Sequence, residues 1–376
     1  MANLPERERR LLHVFSTFAV GGPQTRFVTI ANALGPKYHH DIVAMDANFA
    51  AAAGLGRVSF ACETIPVHKT SSISLANVLS ARRLMRRLAP DTLLTYNWGS
   101  IEWSVANWPG LYRHIHLEDG FGPDESPDRQ KRGRVLTRRY LLSRADLIVM
   151  PSSVLFELAA KVWRLPRQKL LQLPNGIDCA RFARPPDPAL LSSLGLDDDQ
   201  LVVGTIAGLR PEKNLARLVR VFAALPETLR ASLVIVGDGP ERGALLQLAE
   251  KCGVAARTIM TGAISEPERI IGRFAVFALT SNTEQMPNAV LEAMAASLPI
   301  IATDVGDVRQ MVSGENAPYV LPAEDEAGLT RALHSLLLDP ELRRALGDAN
   351  ARRVRVAYPL ERMVARYDAL FRAGEQ

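Results

Sequence analysis

Cysteine is scarce and odd in number: Cys62, Cys179 and Cys252 are widely spaced, and none belongs to a C-x-x-C pair. That sets aside a disulfide framework or a thiolate metal site, and reduced thiols in a cytoplasmic chain are the expectation. Nowhere do the ~18–20 apolar residues needed to cross a bilayer run together. The opening stretch, MANLPERERRLLHVF, has charges where a signal peptide needs an apolar core, and it reads as the approach to a first strand. A G-x-G-x-x-G fingerprint is missing, which argues against a nicotinamide-dependent dehydrogenase. No internal repeat or low-complexity tract stands out. The arginine clusters have few interleaved aromatics and no accompanying nucleic-acid motif, so nucleic acid is not expected as a partner.

What is present is an ordinary globular composition, 47% hydrophobic and 23% charged, over 376 residues. That length exceeds what one core usually holds, so two domains are expected. Charge is uneven between them. Residues 1–178 carry 23 Lys+Arg against 15 Asp+Glu, a net +8; residues 179–376 carry 22 against 25, a net −3. A basic first half suits an anionic partner such as a membrane surface, although arginines that merely face water give the same count. Arg82, Arg83, Arg86 and Arg87 fall on one predicted helix, 74–88, and a second cluster runs from Arg129 to Arg139.

Strand-like apolar runs alternate with helical patterns throughout. Strands are predicted at 11–17, 40–46, 91–96, 113–117, 146–151 and 169–173, then at 201–207, 232–236, 258–262, 276–280, 300–304 and 319–321. Such alternation predicts parallel sheets wound on both faces by helices. Pro174-Asn175-Gly176-Ile177-Asp178 and the Pro-rich 185–188 read as a connection, and 124–134 reads as a mobile loop.

Thr280 to Asp304 is the stretch that organises the rest. A strand end, a polar loop with Pro287, and a helix opening at Asn288 put Glu284 in the loop and Glu292 in the helix, eight residues apart. The amides of Asn288, Ala289 and Val290 form a helix start, a seat for an anion. An acid on either side of that seat suits a sugar and a ribose flanking a diphosphate, that is, a nucleotide sugar. Upstream, Gly208-Leu209-Arg210-Pro211-Glu212-Lys213-Asn214 follows a buried strand, and both cations can reach a diphosphate, Arg210 as a fork and Lys213 as a point charge. Asp197-Asp198-Asp199 has no further ligands nearby and reads as a solvated loop.

The E-x7-E spacing on a strand–loop–helix unit, with the G-x-x-x-x-K-N loop and PNGID, resembles the family 4 retaining glycosyltransferases. The resemblance implies two Rossmann-like doubly wound domains facing across a cleft (GT-B type): 1–180 for the acceptor, with 358–376 crossing back onto it, and 181–357 for the donor. It implies that Glu284 meets the sugar hydroxyls and Glu292 the ribose, that Arg210, Lys213 and the helix-start amides hold the diphosphate, and that Gly208, Met286 and Pro287 also belong to the donor site. Gly237 and Gly239, in Gly-Asp-Gly-Pro, would lie beside the nucleotide. The chain has Gln285-Met286 where the commonest family form has Gly-Phe, which leaves the sugar open. No cofactor is implied: a nucleotide sugar is substrate, and the cations stand in place of a metal. UDP is expected over GDP as the donor's nucleotide, and a saccharide or lipid-linked saccharide as acceptor, in bacterial surface polysaccharide synthesis.

In the first half, Gly21-Gly22 at a strand–helix turn lets backbone approach a ligand, and a plain tight turn explains it equally well. The resemblance favours the ligand. His116 and Asp119 end a strand before Gly120, where open α/β sheets bind ligands. Relatives have a His immediately before this glycine, and the sequence does not decide between the two residues. Two rivals share the fold: a nucleotide-sugar epimerase, which would isomerise its donor, and a non-catalytic saccharide-binding protein, which would dispense with the paired cations.

Overall fold

The computed structural model describes residues 8–68, 73–121, 125–126, 129–196 and 199–373. The chain divides into two compact units, one running to Pro174 and taking in the chain from Glu361 on, the other spanning Asn175–Leu360. Of the acidic run 197–199, Asp197 and Asp198 lie outside the described residues.

Seven strands build the sheet of the first unit: β1 (Arg9–Phe15), β2 (Tyr38–Ala44), β3 (Ser59–Glu63), β4 (Thr92–Tyr96), β5 (Arg113–Leu117), β6 (Leu147–Met150) and β7 (Leu170–Gln172). Their order is β3-β2-β1-β4-β5-β6-β7, and all neighbours are parallel. Helices cover both faces, which is why Leu11, Leu12, Val14 and Phe15 of β1 are all buried as an almost unbroken apolar run. Burying each large side chain of this kind contributes about 1.5–3 kcal/mol. β3 had no sequence signal. Its five residues alternate between half-buried and exposed and pair only with β2, so an edge strand of SFACE shows no strong apolar period.

Ser74 and Ser152 cap the helices Leu75–Leu88 and Ser153–Lys161 by accepting from the amides of Asn77 and Leu155. The final helix, Leu360–Arg372, packs into this same unit. Lys37 Nζ and Tyr38 OH donate to Asp368 at 2.6 and 2.7 Å, and Arg113 donates to Leu370 O at 2.7 Å.

The second unit holds β8 (Leu201–Ile206), β9 (Ala231–Val236), β10 (Thr258–Gly262), β11 (Val276–Leu279), β12 (Ile300–Thr303) and β13 (Val320–Leu321), all parallel, in the order β10-β9-β8-β11-β12-β13. Successive residues serve opposite faces: Val202, Val234, Phe277 and Ile300 pack with the helix Asn288–Ala295, whereas Val203, Leu233, Val276 and Ile301 pack with Leu215–Ala223 and Glu326–Leu338. The Pro-rich connection is partly helical, because Asp187 caps Pro188–Ser193 with proline at the first helical position. The helix opened by Asn288 ends at Ala295, with Ser297 in the left-handed region at φ +57°.

Candidate functional site

In each sheet the order reverses between two central strands, β1/β4 and β8/β11, and open α/β sheets take ligands beyond the carboxyl ends of such a pair. The chain after β8 is the Gly208–Asn214 loop and the chain after β11 is the Thr280–Pro287 loop, so sheet order alone makes them neighbours.

Side chains then fix the two loops to each other. Asn214, in the left-handed region at φ +41°, caps the helix Leu215–Ala223 and donates to Asn282 Oδ1 at 3.0 Å. Arg217 reaches back to Thr280 O and Asn282 Oδ1, at 2.8 and 3.0 Å. Within this frame Lys213 Nζ donates to Glu284 Oε1 at 2.7 Å, and Ser281 Oγ donates to the same oxygen at 2.7 Å. Arg210, three residues before Lys213, is exposed, and no ion pair holds it among the described residues. Gly208 has open space around it apart from the Arg210 side chain.

Gly237 and Gly239 shape the loop rather than reaching outward. A Cβ on Gly237 would lie 1.9 Å from Ala207 O, and one on Gly239 would lie 2.5 Å from Leu209 O. Both are close approaches that only glycine permits, and they carry the backbone leading to Arg210. Gly306 does the same for the other loop, since its Cβ would meet Glu284 O at 2.5 Å.

The helix start is narrower than the sequence suggested. Val290 N–H is taken by Pro287 O at 3.1 Å in a tight first turn, leaving Asn288 and Ala289 as the amides without a backbone partner among the described residues. Met286 turns its side chain into the apolar core. Asn175 Nδ2 donates to Met286 O and to Asn288 Oδ1, at 3.1 and 3.0 Å. Asn175 therefore clamps the signature loop, a role hidden in the sequence by the turn chemistry of PNGID. Glu292, one turn on, lies beside the Arg181–Glu268 ion pair. Burial pushes its carboxyl up to about 7, against the pull of Arg181 and with the push of Glu268.

The first unit places His116 and Asp119 differently. His116 is 0% exposed, with Nδ1 2.8 Å from Thr95 Oγ1 and Nε2 3.4 Å from Glu118 Oε2. It belongs to β5, whose two faces are both covered, so its side chain points into the fold. Asp119 lies past the strand end, but it is held in a two-pronged ion pair by Arg26, with one contact at 2.8 Å, and its amide donates to Asn97 Oδ1 at 2.6 Å. Burial alone would lower the Arg26 pKa; the Asp119 charge outweighs it and keeps the guanidinium protonated. Arg26 gave one sequence signal, a charged residue on the apolar face of a helix. The loop expected over 124–134 is anchored where it is described: Glu125 is buried and accepts from Arg134 and Arg138, each at 3.1 Å, and the next helix already starts at Arg132.

Gly22 opens the helix Gly22–Leu34 with open space beside it, and Gly21, its cap, lies on extended backbone with Gln24 close by. Past β1, β2 and β4 lies an open cavity of about 1070 Å³ bounded by Ser16, Asp46, His68, Asn77, Trp98, Glu102 and Arg134, among others. Its polar wall is ordered, with Glu102 accepting from Ser74 N–H and Asn77 Nδ2 at 2.9 and 3.0 Å.

Two family models match the chain without overlap: "Glycosyltransferase Family 4" over residues 20–181 and "Glycosyl transferases group 1" over 188–353. Among curated relatives, N-acetyl-alpha-D-glucosaminyl L-malate synthase of Bacillus anthracis is 24% identical over 62% of this chain, which spans 61% of that protein's length. The 2-deoxystreptamine N-acetyl-D-glucosaminyltransferase of Streptomyces fradiae is 28% identical over 72% of this chain and 68% of its own. Among solved structures, Anabaena HepE in complex with UDP and glucose superposes with a TM-score of 0.81 at 15% identity, over 96% of this chain and 99% of that one, a likeness of fold. With its first half matched by one model and its second by the other, on two parallel doubly wound sheets of the GT-B kind, the chain belongs to the family 4, group 1 glycosyltransferases.

Proposed function

We propose that the protein transfers a hexosyl group, with retention at the anomeric carbon, from a nucleotide-diphosphate sugar to a saccharide or lipid-linked saccharide. UDP is favoured over GDP as the nucleotide, and bacterial surface polysaccharide synthesis is the setting. The observation that carries this reading is the Lys213–Glu284 pair at 2.7 Å, with Arg210 exposed in the same loop, at the sheet's switch point. An acid for sugar hydroxyls and two cations for a diphosphate are thereby brought within one pair of stitched loops.

In the proposed reaction an acceptor hydroxyl oxygen forms the new bond to the anomeric carbon as the bond to the diphosphate breaks. The electron pair leaves on the phosphate oxygen, which takes up the acceptor hydroxyl's proton, and Arg210, Lys213 and the Asn288 and Ala289 amides stabilise the departing diphosphate. Lys213 is already held in place by Glu284, and a positive charge positioned before the reaction needs little reorganisation as charge develops on the leaving group. Those cations supply the charge a metal would bring, so no metal is proposed. Glu292, protonated part of the time near neutral pH, can both donate to and accept from a ribose diol. The relative captured with UDP and glucose supports the choice of nucleotide. The basic helix Leu75–Leu88 supports contact with an anionic membrane face, with Arg83, Arg86 and Arg87 exposed.

A panel of nucleotide sugars tested by thermal shift checks the reading. A donor at 100 times its Kd should add ~2.7 kcal/mol of stability. Arg210→Ala and Lys213→Ala should each lose that shift and raise the barrier to transfer by ~2.7–4 kcal/mol. Near-normal turnover in either variant refutes the assignment of the cations.

A further inference from the structure

The helix Arg132–Leu142 buries a charge, Arg138, beside Leu141 and Leu142, while two of its other large side chains face solvent. Arg138 is 0% exposed, packed among the rings of Trp98, Phe121 and Trp163 at 4.9–5.6 Å from their centroids. Leu136 and Tyr140, one turn apart, are 59% and 63% exposed. Surface helices normally show the opposite pattern, and apolar residues at i and i+4 on an outward face mark a surface that something covers.

That face is one wall of an apolar groove of about 570 Å³, whose other walls include Ile73, Val105 and Trp108. Trp108 is itself 51% exposed. A hydroxyl on the groove lining, Ser104 Oγ, is buried without a hydrogen-bond partner. At one end the Arg144 guanidinium lies 4.5 Å from the Trp108 ring centroid and 3.5 Å from that of Tyr140. The groove adjoins the larger cavity of this unit, since Ile73 and Thr137 line both. The groove is mainly apolar, whereas the adjoining cavity has a mixed lining that adds Asp46, His68, Asn77 and Glu102 to apolar residues such as Met45 and Ile101.

We propose that the two cavities hold one amphiphile: the apolar groove takes an alkyl or polyprenyl chain, and the larger cavity takes the saccharide head that receives the sugar. The role of the head as acceptor rests on the transferase reading above; the binding of an amphiphile does not. A small, wholly polar acceptor would leave Leu136, Tyr140 and Trp108 exposed to water without purpose. A lipid chain with a hydrated head matches both cavities and their shared wall.

The test titrates the full chain by calorimetry with n-alkyl β-D-glucosides from methyl to octyl, each below its micellisation concentration. Affinity should rise with chain length, by up to about fourfold per methylene that enters the groove. Leu136→Glu and Tyr140→Ser replace exposed side chains, so both variants should fold, as circular dichroism will verify, and both should flatten the dependence on chain length. Absence of chain-length dependence in the wild type overturns the proposal, as does an unchanged dependence in both variants. A third arm uses anionic phosphatidylglycerol vesicles. Loss of vesicle binding in the variants with the glucoside series unaltered would make this a bilayer-facing surface, and the single-chain groove would be wrong. UDP binding by the wild type is measured separately, so a failure of the donor reading appears there and leaves the amphiphile result standing.

Discussion

Lys213 and Glu284 are 71 residues apart in the chain and 2.7 Å apart in space. Their pairing means that neither charge is uncompensated, and each has a second task only when a ligand brings further partners. Glu292 differs in kind. Its folded carboxyl titrates at about 7 because burial penalises the charged form, whereas an unfolded glutamate titrates near 4.3. Below both values the protonated group is the same in either state. Between them the unfolded chain has lost its proton and the folded one has not, so stability falls as pH rises from about 4 to 7 and levels above that. Glu292→Gln should remove this slope. The variant should gain on the order of 2 kcal/mol relative to wild type at pH 8 and little at pH 4, allowing for partial exposure of the carboxyl. Urea melts at the two pH values measure it, and parallel pH dependence in both proteins would contradict the shift.

Loops at the switch point are elements with their own structural requirements, and these are mostly glycine and asparagine requirements. Gly237 sits at φ +139° with Ala207 O in the place of a Cβ, so Gly237→Ala must push back the strand end that leads to Arg210. The expected cost is roughly 2–4 kcal/mol from left-handed strain and overpacking together, with weaker UDP binding as the loop shifts. Gly243, inside the helix Arg242–Lys251 with nothing within 4 Å of its would-be Cβ, is the control. Gly243→Ala should be neutral or stabilising by up to about 1 kcal/mol. Equal melting temperatures for the two variants would show that the close approach does not constrain the loop.

Over the whole molecule, the net charge of +8 before residue 179 and −3 after it separates a basic half from the half carrying the proposed diphosphate site. If Arg210 and Lys213 supply the charge for the leaving group, transfer should survive EDTA. Complete loss on chelation, restored by magnesium, would show that those cations are insufficient. No helix among the described residues is long and apolar enough to cross a membrane. Attachment to an anionic surface would rest on side chains such as Arg83 and Arg86, each contributing ~1 kcal/mol. Arg87 contributes less because Glu63 already holds it at 2.7 Å. Arg83→Ala with Arg86→Ala should lower the affinity for anionic liposomes, read by co-sedimentation, about thirtyfold at low salt. Binding equal to wild type would leave those arginines as a solvated face.

The sequence by itself determined the strands of both units, except for the edge strand β3, and the loops that carry Arg210, Lys213, Glu284 and Glu292. Those features follow from local causes: apolar runs of strand length, helical periodicity, serine and asparagine caps, and glycine at turns. Only the tertiary structure decided which titratable groups face outward. His116 points into the fold because β5 is covered on both faces, and Asp119 is matched with Arg26, 93 residues away. Val290 loses its free amide to a tight first turn, Asn175 reaches across 113 residues to Asn288, and Arg138 turns inward while Leu136 turns out. Each of these depends on what packs beside a residue from a distant part of the chain. Strand order sets those neighbours, and no local pattern encodes it.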